Sequence, residues 1–285
     1  MEFVSTLLLE ASKIALACRK NISVYKKNTS LSSKNEVFTN ADLEVEHFLC
    51  KEIENSSQHT FVLGEEGVVE KLQRYDAHHL LSKKVWIIDP IDGTNNFLNG
   101  LPLWGISIGY TENYEFKHGA IVLPDIREMH ISTKKGTYYY VSDVPLSEIQ
   151  NIDTSQLLLY SKDTAEGTDT AHTTQKQQSN KLTTHSLARK NPQLGSCVFS
   201  IREVLAGNAT VYSGKAKIWD YAACIALFRN AGYPVYFYAK NSQQLQTLPW
   251  KITSDNWSKN YTHSIYDLVF CKEYAKGCTL FSTKS

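Results

Sequence analysis

The chain has 285 residues, 42% of them hydrophobic, with only 14 glycines and 7 prolines, so it can bury a sizeable core and is neither collagen-like nor low-complexity. Thirty basic residues against 29 acidic ones leave a formal charge of +1, which argues against a polyanion surface and against nucleic acid as a partner. Six cysteines with no CxxC pair, and nine histidines with no HExxH arrangement, exclude the common zinc patterns and read as reduced, mostly buried thiols of a cytoplasmic protein.

Residues 2–22 predict an amphipathic helix, because Phe3, Val4, Leu7, Leu8, Ile14, Ala15 and Leu16 recur at roughly helical spacing. Glu2 and Glu10 fall inside it and no basic run leads it, so it is not a signal peptide. No apolar run reaches the length of a membrane span, so no membrane is expected. Residues 23–38 are polar and read as a loop or a short hairpin. Thr39-Asn40-Ala41-Asp42 offers a cap to a second helix over 40–56, with Leu43, Val45, Phe48, Leu49 and Ile53 inward. Phe61-Val62-Leu63 is a strand stopped by Gly64, and Val85-Trp86-Ile87-Ile88 is a strand apolar on both faces and therefore buried. Strands follow at Leu103 to Tyr110, His118 to Leu123, Glu128 to Ser132 and Gly136 to Val141, giving helices on an antiparallel sheet.

Leu157 to Tyr160 is a further strand, and the Thr-, Ser-, Gln- and Lys-rich stretch 161–194 reads as a weak helix or a mobile loop. Order returns with a helix over 197–208, a strand at Ala209 to Tyr212, a helix from Asp220 to Ala231 closed by Gly232, and strands at Val235 to Tyr238 and Leu268 to Cys271. A soft boundary near 143 divides an N-terminal half, 1–143, from a C-terminal half, 144–285.

The stretch Trp86 to Phe97 reads WIIDPIDGTNNF, and its two aspartates pattern neither a strand face nor a helix face. The buried strand delivers Asp89 to its end, and Pro90 cannot continue a ladder, so the chain turns there and brings Asp92 back beside Asp89. The turn can aim the Ile91 carbonyl the same way. Two carboxylates held that close repel unless a cation lies between them. An all-oxygen donor set suits Mg²⁺ or Mn²⁺ better than zinc. Gly93-Thr94 then opens a turn or helix whose amide N–H groups form an anion-binding end suited to phosphate. The bland reading is a surface turn, since Asp-Pro-x-Asp-Gly is a common turn composition. An EF-hand fails because the glycine falls one place early and no Glu stands at the twelfth position. An aspartyl-nucleophile DxDGT motif fails because Pro90 occupies the place of its first aspartate.

Two more stretches place carboxylates at element ends. Gly64-Glu65-Glu66-Gly67 follows a strand, and Lys217-Ile218-Trp219-Asp220-Tyr221-Ala222-Ala223 puts Asp220 at the start of an apolar helix. Alone, Asp220 is an N-cap and Glu65-Glu66 a solvated turn. Together with Asp89 and Asp92 they top separate strand and helix ends.

G-E-E, D-P-I-D-G-T and W-D-x-A-A, in that order, resemble the inositol monophosphatase family, within the wider superfamily of lithium-sensitive, magnesium-dependent phosphatases that includes fructose bisphosphatases and bisphosphate nucleotidases. Thr39 to Asp42 and Gly195-Ser196 match two looser elements, and the resemblance covers residues 2 to 271. It implies an α/β fold of α+β character, a layered α/β/α/β/α sandwich, in a cytoplasmic homodimer. It implies hydrolysis of a small phosphate monoester, an inositol or sugar phosphate, by metal-activated water, with two to three Mg²⁺ ions per site. A fructose bisphosphatase or a 3′(2′),5′-bisphosphate nucleotidase is the alternative within the class, and a non-catalytic phospho-ligand-binding relative is the alternative outside it.

Residue by residue, the resemblance gives Glu65, Asp89 and the Ile91 carbonyl to a first ion, and Asp89, Asp92 and Asp220 to a second, where Li⁺ can replace Mg²⁺. Glu65 would reach a third ion, with Glu66 supporting it from behind. Thr94, paired with Asp42, would orient and deprotonate the attacking water, and the Gly93 and Thr94 amides would hold the phosphate. Gly195, Ser196, Ser213 and Lys217 would face the substrate, and Trp219 would lie beneath the site. The chain departs from the pattern at Gly67, where Ser is usual, and at Cys224, where Gly is usual. It departs again at Ser213, where an acid reading inositol hydroxyls is usual, with Lys215 and Lys217 nearby.

Overall fold

The computed structural model describes residues 1–27, 36–56, 60–67, 77–150, 152, 156–160, 194–214, 217–238, 245–249, 251–252 and 267–272. The predicted stretch 161–194, apart from Leu194, and Lys215 lie outside these residues. In chain order the elements are α1 (Glu2–Cys18), β1 (Val24–Lys26), β2 (Val37–Thr39), α2 (Asn40–Ser56), β3 (Thr60–Gly64), α3 (Ala77–Leu81), β4 (Lys84–Asp92), α4 (Thr94–Leu98), β5 (Gly105–Glu112), β6 (Glu115–Leu123), β7 (Glu128–Thr133), β8 (Gly136–Val141) and β9 (Leu158–Leu159). Then come α5 (Cys197–Leu205), β10 (Tyr212–Gly214), α6 (Ile218–Asn230), β11 (Val235–Tyr238), β12 (Leu245–Thr247) and β13 (Asp267–Phe270).

Strands β3 to β9 pair in sequence order into one seven-stranded sheet. Period-two alternation divides their side chains between two cores. Val85 and Ile87 of β4, with Ile121 and Leu123 of β6, face α5 and α6. Trp86, Ile88, Ile106, Ile108 and Val122 face α1 and α2, where Leu8, Leu9, Val45, Leu49 and Ile53 are fully buried. Leu43, expected inward on α2, is exposed. Beyond α6 lies a four-stranded antiparallel sheet ordered β10-β13-β11-β12, with Phe270 packed on Tyr221 and Phe228 of α6. Four layers, α/β/α/β, are thus seen among the described residues, a mixed α/β architecture of the expected class.

The sheet departs from the sequence expectation in direction and extent. β3 and β4 run parallel, Thr60 opposite Lys84 and Gly64 opposite Ile88, so the sheet is mixed rather than antiparallel. Alternation encodes which face a residue takes and not the direction of its neighbour. β4 also does not leave the sheet at Pro90. It stays paired with β5 from Lys84↔Glu112 to Asp92↔Gly105, with the register shift confined between Asp89 and Asp92. A bulge absorbs the proline, whose missing N–H would otherwise break the ladder. The polar stretch after α1 closes as a hairpin, β1 antiparallel to β2. The strand expected at 209–212 begins later, at Tyr212.

Two glycines set how close α6 comes to the sheet. A Cβ on Gly109 would lie 2.6 Å from the Ala222 Cβ, and one on Gly119 would lie 2.2 Å from the Ala223 carbonyl oxygen. The paired alanines and paired glycines therefore let helix and sheet backbones meet, and this lowers the first turn of α6 toward the end of β4.

Candidate active site

Three carboxylates converge where β3 and β4 end and α6 begins. Glu65 follows β3, and its N–H continues the ladder by donating to the Ile88 carbonyl at 3.2 Å. Asp89 stands at the edge of the β4 bulge, and Asp220 in the first turn of α6, where Oδ2 accepts the Lys217 N–H at 2.8 Å. One oxygen from each of Glu65, Asp89 and Asp220 lies within 4.8 Å of the others. Asp89 is 1% exposed, and its Oδ1 has no hydrogen-bond partner among the described residues. A buried carboxylate with an unpartnered oxygen, beside two further carboxylates, is a donor set that suits a hard divalent cation.

The protonation energetics follow from this crowding. Burial, with Glu65, Asp92 and Asp220 close by, raises the Asp89 carboxyl well above the ordinary range. Asp220 is pushed up to about 8, first by burial and then by Glu65 and Asp92. Burial also lifts Glu66 to about 8 against the opposing pull of Lys27.

Asp92 is placed differently. Its Oδ2 accepts from Ser196 Oγ and from the Val198 N–H at 2.8 Å, and its Oδ1 from the Cys197 N–H at 3.2 Å. It thus joins the cap of α5 with Ser196, whose Oγ accepts the Phe199 N–H at 3.1 Å. Burial raises Asp92 to about 6, with the hydrogen bonds from Ser196, Val198 and Cys197 pulling it down. Gly195 precedes this cap at φ +75°, and a Cβ there would lie 2.9 Å from Asn96 Nδ2. Asn96 Nδ2 donates to the Leu103 and Leu194 carbonyls at 2.6 and 2.7 Å, so the loop before α5 is tied to the turn after β4.

Thr94 opens the five-residue α4 behind Gly93, whose φ of +92° is open only to glycine at low cost. Thr94 Oγ1 lies 3.3 Å from Asp42 Oδ1 and 3.1 Å from the Ile91 carbonyl oxygen. Asp42 Oδ2 is held by the Thr39 N–H at 2.7 Å and the Thr39 hydroxyl at 2.6 Å. Burial raises Asp42 to about 6, with the Thr39 bonds opposing. The Ile91 carbonyl faces the Thr94 hydroxyl, and Trp219 is buried, with the Lys217 ammonium 5.4 Å from its ring centroid. Ser213 is buried in β10 opposite Val269.

Three residues at the site escape a sequence reading. Lys27 Nζ lies 2.7 Å from both Glu65 Oε1 and Glu66 Oε1. Burial works against its charge, but the two glutamates outweigh it and hold its pKa above the ordinary value. Glu36 takes the Lys217 ammonium at 2.8 Å. Glu46 accepts the Glu66 and Gly67 N–H groups at 2.8 and 2.7 Å, and leaves no room for a side chain at Gly64, where a Cβ would lie 2.3 Å from its carboxyl carbon. The one available signal was Glu46 itself, an acid on the apolar face of α2. A cavity of about 550 Å³ lined by Tyr139, Tyr160, Arg202, Tyr233 and Lys272 lies at the other end of α5, away from these carboxylates.

The inositol monophosphatase family model matches residues 2–273. Inositol-1-monophosphatase of Bacillus subtilis is 29% identical over 202 residues, covering 70% of this chain and 72% of that protein. A fructose-1,6-bisphosphatase/inositol-1-monophosphatase of Thermotoga maritima is 32% identical over 119 residues, 41% of this chain and 43% of that one. The solved structure of a Thermotoga maritima IMPase superposes with a TM-score of 0.61 at 19% identity, over 98% of this chain and 95% of that chain.

Proposed function

The chain belongs to the inositol monophosphatase family, whose members are phosphoric monoester hydrolases, and we propose that it hydrolyses a small inositol or sugar phosphate with the aid of divalent metal ions. The observation that carries this is the convergence of Glu65, Asp89 and Asp220, together with a buried Asp89 whose Oδ1 has no hydrogen-bond partner among the described residues. These three would hold Mg²⁺ or Mn²⁺, with the Ile91 carbonyl and Asp92 within reach of the same end of β4, for two to three ions in all. The chemistry supplied there when bound is a lowered pKa of the attacking water and compensation of charge on the phosphoryl oxygens.

The chain's own residues do the rest. Thr94 Oγ1 accepts the water's proton as its own passes to Asp42 Oδ1, 3.3 Å away. Burial favours that transfer, because an Asp42 carboxyl raised to about 6 holds the proton better than an ordinary aspartate. The Gly93 and Thr94 amides open α4 toward the phosphate, and the left-handed turn at Gly93 sets their direction. Asp92 and Ser196 pin the start of α5 and with it the Gly195 loop against the site. A non-catalytic relative would have less need to gather three carboxylates, with Asp89 fully buried, against one another.

A bisphosphate substrate is the second reading. Ser213 stands where the family has an acid, and a Thermotoga relative is named for both fructose bisphosphatase and inositol monophosphatase. The Lys217 charge is already balanced by Glu36 at 2.8 Å, which favours the monoester. Phosphate release from inositol monophosphate, fructose 1,6-bisphosphate and 3′-phosphoadenosine 5′-phosphate, each with Mg²⁺ and with EDTA, tests both readings. Turnover that survives EDTA, or none on any ester, refutes the proposal.

A further inference from the structure

Lys27 follows β1 at the base of the hairpin. Its N–H donates to the carbonyl of Glu36, the residue before β2, at 3.0 Å, so its backbone is fixed at the hairpin base. Its ammonium is only 10% exposed as a side chain and bridges Oε1 of Glu65 and Oε1 of Glu66 at 2.7 Å each. Lys217 stands behind it, 3.8 Å from the same Glu65 oxygen and 2.8 Å from Glu36. The hairpin base thus presents a buried cation to one of the three carboxylates that face Asp89.

A divalent ion taken up by Glu65, Asp89 and Asp220 would stand about 2 Å from its ligand oxygens. That places its double charge within roughly 5 Å of the Lys27 ammonium, one ligand bond plus one hydrogen bond away. Repulsion between positive charges at that distance in a half-buried site exceeds what one charged hydrogen bond supplies. Glu66 offers the ammonium a place to withdraw to, since it lies on the same turn and already holds Nζ at 2.7 Å.

We propose that Lys27 is a tethered counter-cation of this site, neutralising Glu65 and Glu66 when no divalent ion is bound and giving up Glu65 when one binds. Loading the site then requires breaking the Lys27–Glu65 ion pair, so the hairpin base and the divalent ion compete for one carboxylate. Metal affinity is set lower than the carboxylates alone would give, and the unloaded protein is spared the repulsion among them. The inference rests on the metal-site reading above.

The test is Lys27→Met, which keeps the apolar stem and removes the charge, with Lys27→Arg as the charge-retaining control. Mn²⁺ and Mg²⁺ affinities are measured by calorimetry, and melting temperatures with EDTA and with saturating Mg²⁺. Lys27→Met is expected to bind Mn²⁺ roughly tenfold more tightly, the worth of one charged hydrogen bond. It should melt lower in EDTA, with a wider gap between EDTA and Mg²⁺, while Lys27→Arg stays near wild type. If Lys27→Met is unfolded in EDTA, equilibrium dialysis of the loaded protein against buffered free Mn²⁺ gives the affinity instead. Equal or weaker Mn²⁺ binding by Lys27→Met overturns the proposal. A wild-type protein that binds no divalent ion overturns the metal-site reading itself, whatever the variants do.

Discussion

The buried carboxylates make the stability of the metal-stripped protein fall as pH rises, against the usual carboxylate trend. The sign follows from linkage. A carboxyl whose folded pKa is raised binds more protons in the folded than in the unfolded chain between the two values, so unfolding free energy decreases with pH across that window. For Asp220 the window runs from about 4, the ordinary carboxylate value, to about 8 in the fold. One excess proton gives a slope of about 1.4 kcal/mol per pH unit. Between pH 5 and 7 this is about 3 kcal/mol, or roughly 6–9 °C in Tm for a chain of this length. The assay is thermal unfolding at pH 5, 6 and 7 in EDTA, repeated with saturating Mg²⁺, on wild type and Asp220→Asn. The neutral amide removes one titrating group from the cluster, so the variant's EDTA slope should be smaller by one proton's worth. The variant should also melt higher than wild type at pH 7 in EDTA. The buried His130, held below its ordinary pKa mainly by burial, pushes the other way at low pH, but it does so equally in both proteins and cancels in the difference. Mg²⁺ selects the deprotonated carboxylates, so its stabilising effect should grow with pH. Equal slopes for wild type and Asp220→Asn in EDTA would refute the reasoning.

Gly119→Ala would place a Cβ 2.2 Å from the Ala223 carbonyl oxygen, with backbone on both sides, so α6 must shift; we expect about 3 kcal/mol lost in urea unfolding together with most turnover, and an unchanged midpoint would contradict the close-approach account. Thr94→Ala should lower kcat by about 10²- to 10⁴-fold with Mn²⁺ affinity and Tm near wild type, and Thr94→Ser should restore most of it; loss of Mn²⁺ binding in Thr94→Ala would mean the residue acts on the metal and not on the water. Lithium should inhibit in roughly the millimolar range, as expected of weak binding at an open oxygen site; a rate unaltered by ~100 mM LiCl relative to KCl at equal ionic strength would count against it.

The positions legible in the sequence are those where a local rule is broken. Asp89 ends a fully apolar run, Pro90 interrupts a ladder, and Asp220 opens an apolar helix. A carboxylate at the end of a buried apolar strand and a proline within a ladder cost stability in isolation, so they draw attention to a partner that the chain nearby does not supply. The illegible positions break nothing. Lys27 sits among other polar residues, and its partner Glu65 lies 38 residues away. Ser196 resembles an ordinary N-cap, and only the fold shows that it shares this role with Asp92 from 104 residues upstream. The parallel pairing of β3 with β4 is invisible for the same reason, because the pattern of Phe61 to Leu63 records burial and not direction.

The same contrast explains how the site tolerates its own composition. Four acids, Glu65, Asp89, Asp92 and Asp220, act on one another electrostatically at the end of β4, and burial makes their mutual repulsion large. The compensation comes from elsewhere in the chain: the N-terminus of α5 holds Asp92, the backbone of Lys217 holds Asp220, and the hairpin base sends Lys27 to Glu65. Of these four acids, Asp89 has an oxygen, Oδ1, with no partner among the described residues. An apolar strand end could have been completed with less electrostatic strain by any neutral side chain. A carboxylate kept there, with its neighbours compensated and one oxygen left over, is the arrangement expected of the proposed metal site.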